Sequence, residues 1–197
     1  MTASNRLSTV SHADPAPTVG RRRILSMGAA LGFVGLAGGL SRPALAATAA
    51  PERRLWLVNT WTGEHFQQPY WIQGRYLTQS LQDITWLLRD HLNAKTCPVD
   101  PALLDVLHGL CTRIEARQPL QIISGYRSPE TNADARRKSR RVAVNSQHIR
   151  GKAVDIRVQG CGLATVKKAA LSLHAGGVGY YPRSNYVHLD TGPVRSW

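Results

Sequence analysis

Two stretches carry the residues best suited to chemistry: Ser146-Gln147-His148-Ile149-Arg150-Gly151-Lys152-Ala153-Val154-Asp155 and Tyr186-Val187-His188-Leu189-Asp190. The first sets a His and an Asp seven residues apart, and the second adds a His forty residues after the first. Two imidazoles and one carboxylate make a three-ligand set for zinc, with a fourth position left for water. Water held there loses a proton near neutral pH and can attack an amide carbonyl. The two stretches therefore point to metal-assisted hydrolysis. His65, His91, His108 and His174 have no partner at a comparable spacing, and a solvated or packed role suits them better.

The flanking residues say how the ligands are held. Val154 to Val158 alternates apolar and polar side chains and is rich in β-branched residues, so it reads as a strand carrying Asp155. His148 precedes it in a loop, where Gly151 lets the chain turn back. Tyr186 to Asp190 reads as a second short strand, in which His188 and Asp190 share a face. Asp190 is then a hydrogen-bond partner of a ligating His, a general base, or itself a ligand.

The rest of the chain supplies a scaffold. Leu55 to Trp61 reads as a strand, with Thr62-Gly63-Glu64 turning it into His65-Phe66. Leu77 to Leu92 has the spacing of an amphipathic helix. Asp100-Pro101 opens a second helix, running to about Arg117 and ended by Pro119. Leu120 to Ser124 reads as a buried strand leading into Gly125-Tyr126-Arg127. Ser128-Pro129-Glu130 opens a third helix to about Lys138, and Leu163 to His174 forms a fourth, ended by Gly176-Gly177. Helices early and strands late fit an α+β domain with a small antiparallel sheet packed against helices. Trp71, Tyr76, Tyr180 and Tyr181 are the aromatic residues that could stack on sugar rings.

These motifs resemble a known family. Ser-x-His-x-x-Gly-x-Ala-x-Asp from Ser146 to Asp155, followed by a His on a strand, is similar to the zinc signature of the hedgehog/D-Ala-D-Ala peptidase fold. Ser124-Gly125-Tyr126-Arg127-Ser128, Gly177-Val178-Gly179-Tyr180-Tyr181 and Val187 to Arg195 look like the murein endopeptidase K branch. The resemblance covers about Leu55 to Trp197. It implies that His148, Asp155 and His188 hold Zn2+, that Arg127 binds substrate or its oxyanion, and that Ser146 lines the same cleft. It implies a peptidoglycan substrate and an endopeptidase acting on stem-peptide crosslinks. A D,D-carboxypeptidase, or a zinc-bearing wall-binding module without catalysis, is the alternative. Several branches of the fold carry an acid three residues before the last ligand; here that residue is Asn185. Others carry a His where this chain has Tyr186. By strand geometry, Asp190 is the candidate base.

The N-terminal residues read as a leader. Arg21-Arg22-Arg23-Ile24-Leu25 is a twin-arginine pattern followed by an apolar, Gly-rich stretch from Met27 to Leu40. Ala44-Leu45-Ala46 is a cleavage signal, so residues 1–46 are expected to be an export signal peptide. Residues 47–53 follow as a linker and residues 54–197 as the domain. Five Gly and the following Arg42-Pro43 argue against the apolar stretch as a stable span. The expected partners are the twin-arginine export machinery and, in the periplasm, peptidoglycan.

Removing the leader takes away five Arg and one Asp and leaves a net charge of +9 on 151 residues. That length suffices for one domain with a core. A basic chain fits nucleic acid by charge, but an exported one meets anionic wall polymer instead. The run Arg136-Arg137-Lys138-Ser139-Arg140-Arg141 is either a solvated helix end or a contact for stem-peptide carboxylates. Cys97, Cys111 and Cys161 form no Cys-x-x-Cys, which excludes a thiolate zinc site. An oxidising compartment allows one bridge, and Cys97 with Cys111 closes the shortest loop.

Overall fold

A computed structural model describes residues 51–140 and 142–197 of the chain. The expected signal peptide lies outside the described residues. The sheet has eight strands in the order β3-β2-β1-β4-β5-β7-β6-β8. In chain order these are β1 (Glu52–Asn59), β2 (His65–Ile72), β3 (Arg75–Tyr76), β4 (Leu120–Ser124), β5 (Ala153–Val158), β6 (Gly177–Tyr181), β7 (Tyr186–Asp190) and β8 (Arg195–Ser196). The helices are α1 (Thr78–Leu87), α2 (Pro101–Arg113), α3 (Pro129–Lys138) and α4 (Leu163–Leu171). Helices and strands in these proportions fit the α+β class. None of the described helices is long and apolar enough to cross a membrane.

The small antiparallel sheet expected from the sequence is corrected to a larger, mixed one. β1 and β4 pair in parallel, as do β6 and β8, while the remaining pairs are antiparallel. The reason is connection length. β1 and β2 form a hairpin, but the chain returns from β3 to β4 through α1 and α2, a crossover long enough to bring β4 in parallel beside β1. β1 begins at Glu52, within the segment read from sequence as a linker.

The core lies where the helices cover the sheet. Ile84 of α1, Leu103, Leu104, Leu107 and Leu110 of α2, and Val166 of α4 are fully buried with Leu57, Leu120, Ile122, Val154 and Ile156 of the strands. α2 starts where the sequence indicates: Asp100 caps it, accepting a hydrogen bond from the Ala102 N–H at 3.0 Å. α1 stops at Leu87, short of the expected Leu92. Buried Asp90 offers its carboxylate to the Leu92 N–H at 3.0 Å and the Ser128 N–H at 2.9 Å. An Asp so engaged competes with helical bonding and docks this loop on residues 125–128 instead.

The expected Cys97–Cys111 bridge does not form; all three Cys are free thiols. Cys111 rides on α2 against the core, where burial pushes its thiol up to about 11. Cys97 instead lies in the loop before α2, its sulfur beside Gly151.

Candidate metal centre

Two strands and one tight turn carry the predicted ligands. Ser146 caps a 3-10 turn, Gln147–Arg150, by accepting the His148 N–H at 3.3 Å. Gly151 closes that turn at φ 66, and a Cβ there would strike the Pro98 carbonyl, so glycine is required. His148 is thereby fixed just before β5. Asp155 lies on β5 directly opposite His188 on β7. The antiparallel register makes these two ligands cross-strand neighbours.

The donor atoms face one another. His148 Nε2 is 3.1 Å from His188 Nδ1 and 3.4 Å from Asp155 Oδ1, and His188 Nδ1 is 2.9 Å from Asp155 Oδ1. Among the described residues, His148, Asp155 and His188 form a group whose ligand atoms lie within 4.8 Å of one another. All three side chains are nearly buried, at 3, 5 and 8 % exposure.

The other ring nitrogens decide what such a group can hold. His148 Nδ1 is 2.7 Å from the Gly125 carbonyl oxygen. A carbonyl only accepts, so Nδ1 carries the proton and Nε2 of the neutral ring is a lone pair. His188 Nε2 is 3.0 Å from Asp190 Oδ2, which leaves Nδ1 as its lone pair. Two nitrogen lone pairs and a carboxylate oxygen thus converge, an arrangement that suits a cation. Donation of the remote N–H to a carbonyl or carboxylate is the usual setting of a ligating His. Two imidazoles and a carboxylate also match the donor set of catalytic zinc.

The electrostatics agree. Burial alone would raise the Asp155 carboxyl, but His148 and His188 more than offset it and hold it well below the usual carboxylate range. Burial would lower His188, yet Asp155 and Asp190 outweigh it and raise its pKa. The field at this point favours positive charge.

Asp190 shares a face with His188, as expected, and lies behind it. Its side chain is 0 % exposed. Besides His188 it accepts from the Gly177 N–H at 3.2 Å, the Gly192 N–H at 2.8 Å and both Arg195 amino nitrogens at 3.0 and 2.6 Å. Burial opposes ionisation, but these donors prevail and keep the carboxyl well below its ordinary value. Arg195 had no role in the sequence reading. The available signal was the Gly192-Pro193 turn starting two residues after Asp190, which returns the chain along β6 and leaves Arg195 five residues from that acid.

The group opens into a cleft of about 570 Å³. Arg127 lines it, its guanidinium 3.3 Å from Asn132 Oδ1 and, among the described residues, in no ion pair. Its backbone N–H donates to the His148 carbonyl at 3.2 Å, tying the two together. Ser146 also lines the cleft. Tyr181, Tyr186 and Trp197 form an aromatic wall that the sequence reading did not single out as a unit. Tyr181 stacks on Tyr186 at 4.6 Å, Trp197 Nε1 donates to the Tyr181 hydroxyl at 2.7 Å, and the Trp197 ring lies 5.3 Å from His188. Burial, then the nearby Asp155 charge, raises the Tyr186 hydroxyl, so it stays protonated. Arg136, Arg137 and Lys138 form the last turn of α3, and Ser139, Val142 and Ala143 beyond them line the cleft. His65, His91, His108 and His174 take no part in the ligand group.

Comparison with known proteins agrees with the geometry. Residues 47–197 match the family Peptidase_M15_2, described as peptidoglycan L,D-endopeptidase MepK. Peptidoglycan L,D-endopeptidase MepK of Escherichia coli K12 is 44 % identical over 179 residues, covering 90 % of this chain and 96 % of the relative. The probable peptidoglycan L,D-endopeptidase MepK of Haemophilus influenzae is 40 % identical over 182 residues, covering 90 % and 95 %. A crystal structure of the Serratia marcescens L-Ala D-Glu endopeptidase ChiX overlaps 39 % of this chain and 62 % of its own, at TM-score 0.32 and 21 % identity, too slight a likeness to carry an argument. On the family match and these two relatives, the chain belongs to the Peptidase_M15_2 family of MepK-type endopeptidases.

Proposed function

We propose that this protein is a periplasmic, zinc-dependent murein endopeptidase that hydrolyses L,D-amide bonds in peptidoglycan stem-peptide crosslinks. The observation that carries the reading is the set of three lone-pair donors meeting at the floor of an open cleft, in a chain of this family. His148, Asp155 and His188 hold the metal. When bound, zinc supplies Lewis-acid polarisation of the scissile carbonyl and a more acidic water. The Gly125 carbonyl and Asp190 each hold one imidazole in the tautomer that presents its lone pair. Arg127, in no ion pair among the described residues, binds the carbonyl oxygen as negative charge develops there. The protonated Tyr186 hydroxyl is a second donor facing the cleft. Tyr181, Tyr186 and Trp197 exclude water from one side, and Ser146 fixes the turn that carries His148.

Asp190 serves in this reading as the orienting partner of His188, not as the proton carrier. A carboxylate with no exposed surface and five hydrogen-bond donors is a weak base. Asp190→Asn is therefore expected to weaken zinc by about 10–100-fold, with most of the turnover regained at saturating zinc. Chelator competition and rate, measured on one preparation, check this. Normal zinc affinity with turnover down by about two to four orders of magnitude would assign the base to Asp190 after all.

The defining experiment is digestion of purified sacculi by the mature protein, followed by mass spectrometry. Soluble products cut at L,D bonds are expected, lost on chelation and restored by zinc. Intact sacculi after treatment with metal-loaded protein would favour the non-catalytic wall-binding module. The export route is tested separately. Arg21→Lys with Arg22→Lys should leave the uncleaved precursor in the cytoplasm, because a folded-protein exporter reads that pair. Normal processing of the double variant would assign the general secretory route.

A further inference from the structure

One aromatic surface outside the cleft takes no part in the chemistry above. Trp61, in the turn between β1 and β2, is 64 % exposed, and Trp86, on α1, is 51 % exposed. Large indoles left in water at neighbouring points call for a partner more than isolated apolar residues do. Both are fixed in place. Trp61 Nε1 donates to the Ile123 carbonyl at 2.8 Å, and its ring stacks on His91 at 4.4 Å and 4°. Trp86 Nε1 lies 3.3 Å from Glu64 Oε1, and the Arg89 guanidinium covers one face of its ring at 4.2 Å.

Glu64 knits the two together. It accepts from Arg89 at 2.6 and 3.1 Å and from the Thr62 hydroxyl, next to Trp61, at 2.8 Å. The patch therefore presents rigid aromatic faces edged by polar groups, and its own charges are paired. Paired charge favours a neutral ligand over an anionic polymer or lipid surface. A sugar ring has that chemistry. Its C–H face lies on the electron-rich face of an indole, while its hydroxyls need hydrogen-bonding neighbours at the edge. Rings held in advance lose little freedom on binding.

The patch is also anchored to the cleft at two points. Ile123, which holds Trp61, is two residues before Gly125, whose carbonyl holds His148. His91 follows Asp90, whose carboxylate holds the Ser128 N–H, next to Arg127. The segment 123–128 thus joins the aromatic surface to the wall of the metal cleft.

We propose that Trp61 and Trp86, with Glu64, Arg89 and His91 at their edges, form a docking platform for a neutral glycan strand of N-acetylated amino sugars. The inference rests on the peptidoglycan reading, because the strand it seats is the one to which a stem peptide in the cleft is attached. The sugar-stacking residues considered from sequence are different ones. Of those, Tyr181 lines the cleft, and the Tyr76 hydroxyl is bound to Asp105 at 2.6 Å.

The test uses a soluble β-1,4-linked N-acetylglucosamine hexamer and full-length mature protein stripped of metal, so that binding is read without hydrolysis. A saturable change in tryptophan fluorescence is expected with the unaltered protein. Trp61→Ala and Trp86→Ala should each weaken it at least about fivefold. Circular dichroism and melting temperature establish that each variant is folded. Should Trp61→Ala fail to fold through loss of its bond to Ile123, Trp86→Ala carries the test alone. No binding by the unaltered protein, or equal binding by the folded variants, would overturn the platform. So would a change in oligomeric state on substitution without oligosaccharide binding, which would make the patch a contact between copies. A second arm measures hydrolysis. Both Trp variants should cleave a glycan-free crosslinked peptide at the normal rate while the apparent KM on sacculi rises. If the glycan-free peptide is cut by no version of the protein, the endopeptidase reading fails, and the hexamer still decides the platform.

Discussion

His188→Ala is expected to remove both metal and hydrolysis. Its Nδ1 is one of the three converging donors, and its Nε2 is the link through which Asp190 and Arg195 act on the site. Loss of an outer partner alone costs about 10–100-fold in metal affinity, so loss of the ligand should exceed that range. Activity should fall to background. The substitution also takes a donor from the buried Asp190 carboxylate, at a cost of about 1–3 kcal/mol if water does not replace it. A fall in melting temperature is therefore expected with the loss of metal. His148→Ala separates these effects, since it leaves the His188–Asp190–Arg195 arrangement intact. Metal content by mass spectrometry and release of soluble muropeptides check both variants. Full activity in either variant without bound metal would end the metal reading.

Arg127→Ala is expected to retain metal and lose turnover. The guanidinium contacts Asn132 and none of the ligands, and the backbone N–H that holds the His148 carbonyl survives the substitution. Removing a donor aimed at developing charge costs about 10²–10³ in kcat, the loss expected here. Arg127→Lys keeps the charge but not the planar fork, so it should recover only part of the rate. The readout is kcat on a crosslinked stem peptide, with metal content measured alongside. An Arg127→Ala protein with normal metal and a rate within about twofold of the original would take Arg127 out of the mechanism.

Local pattern carried much of the site. Ser146, His148, Gly151 and Asp155 stand at short fixed spacings, so the turn and strand that hold them are decided by neighbours in the chain. The alternation in β5 and β7 gave the strand faces, including the shared face of His188 and Asp190. Asp100-Pro101 and Ser128-Pro129 marked helix starts because an N-cap acts within one turn. These features are legible because period and capping depend on residues a few places apart.

What the chain alone left open depended on groups brought together across the sheet. The chain alone left Asp190 as partner, base or ligand and did not show that the turn at Gly192 returns Arg195 to its carboxylate. The Gly125 carbonyl that sets the His148 tautomer is a backbone atom twenty-three residues away, with no side chain to announce it. The parallel pairing of β1 with β4 followed from how α1 and α2 carry the chain back, and α1 ended early because Asp90 was needed at Ser128. The separate positions of Cys97 and Cys111 were likewise set by how α2 packs. Residue type and spacing determined which groups could ligate a metal. Only the tertiary structure decided which protons and charges surround them, because those depend on burial and on partners distant in sequence.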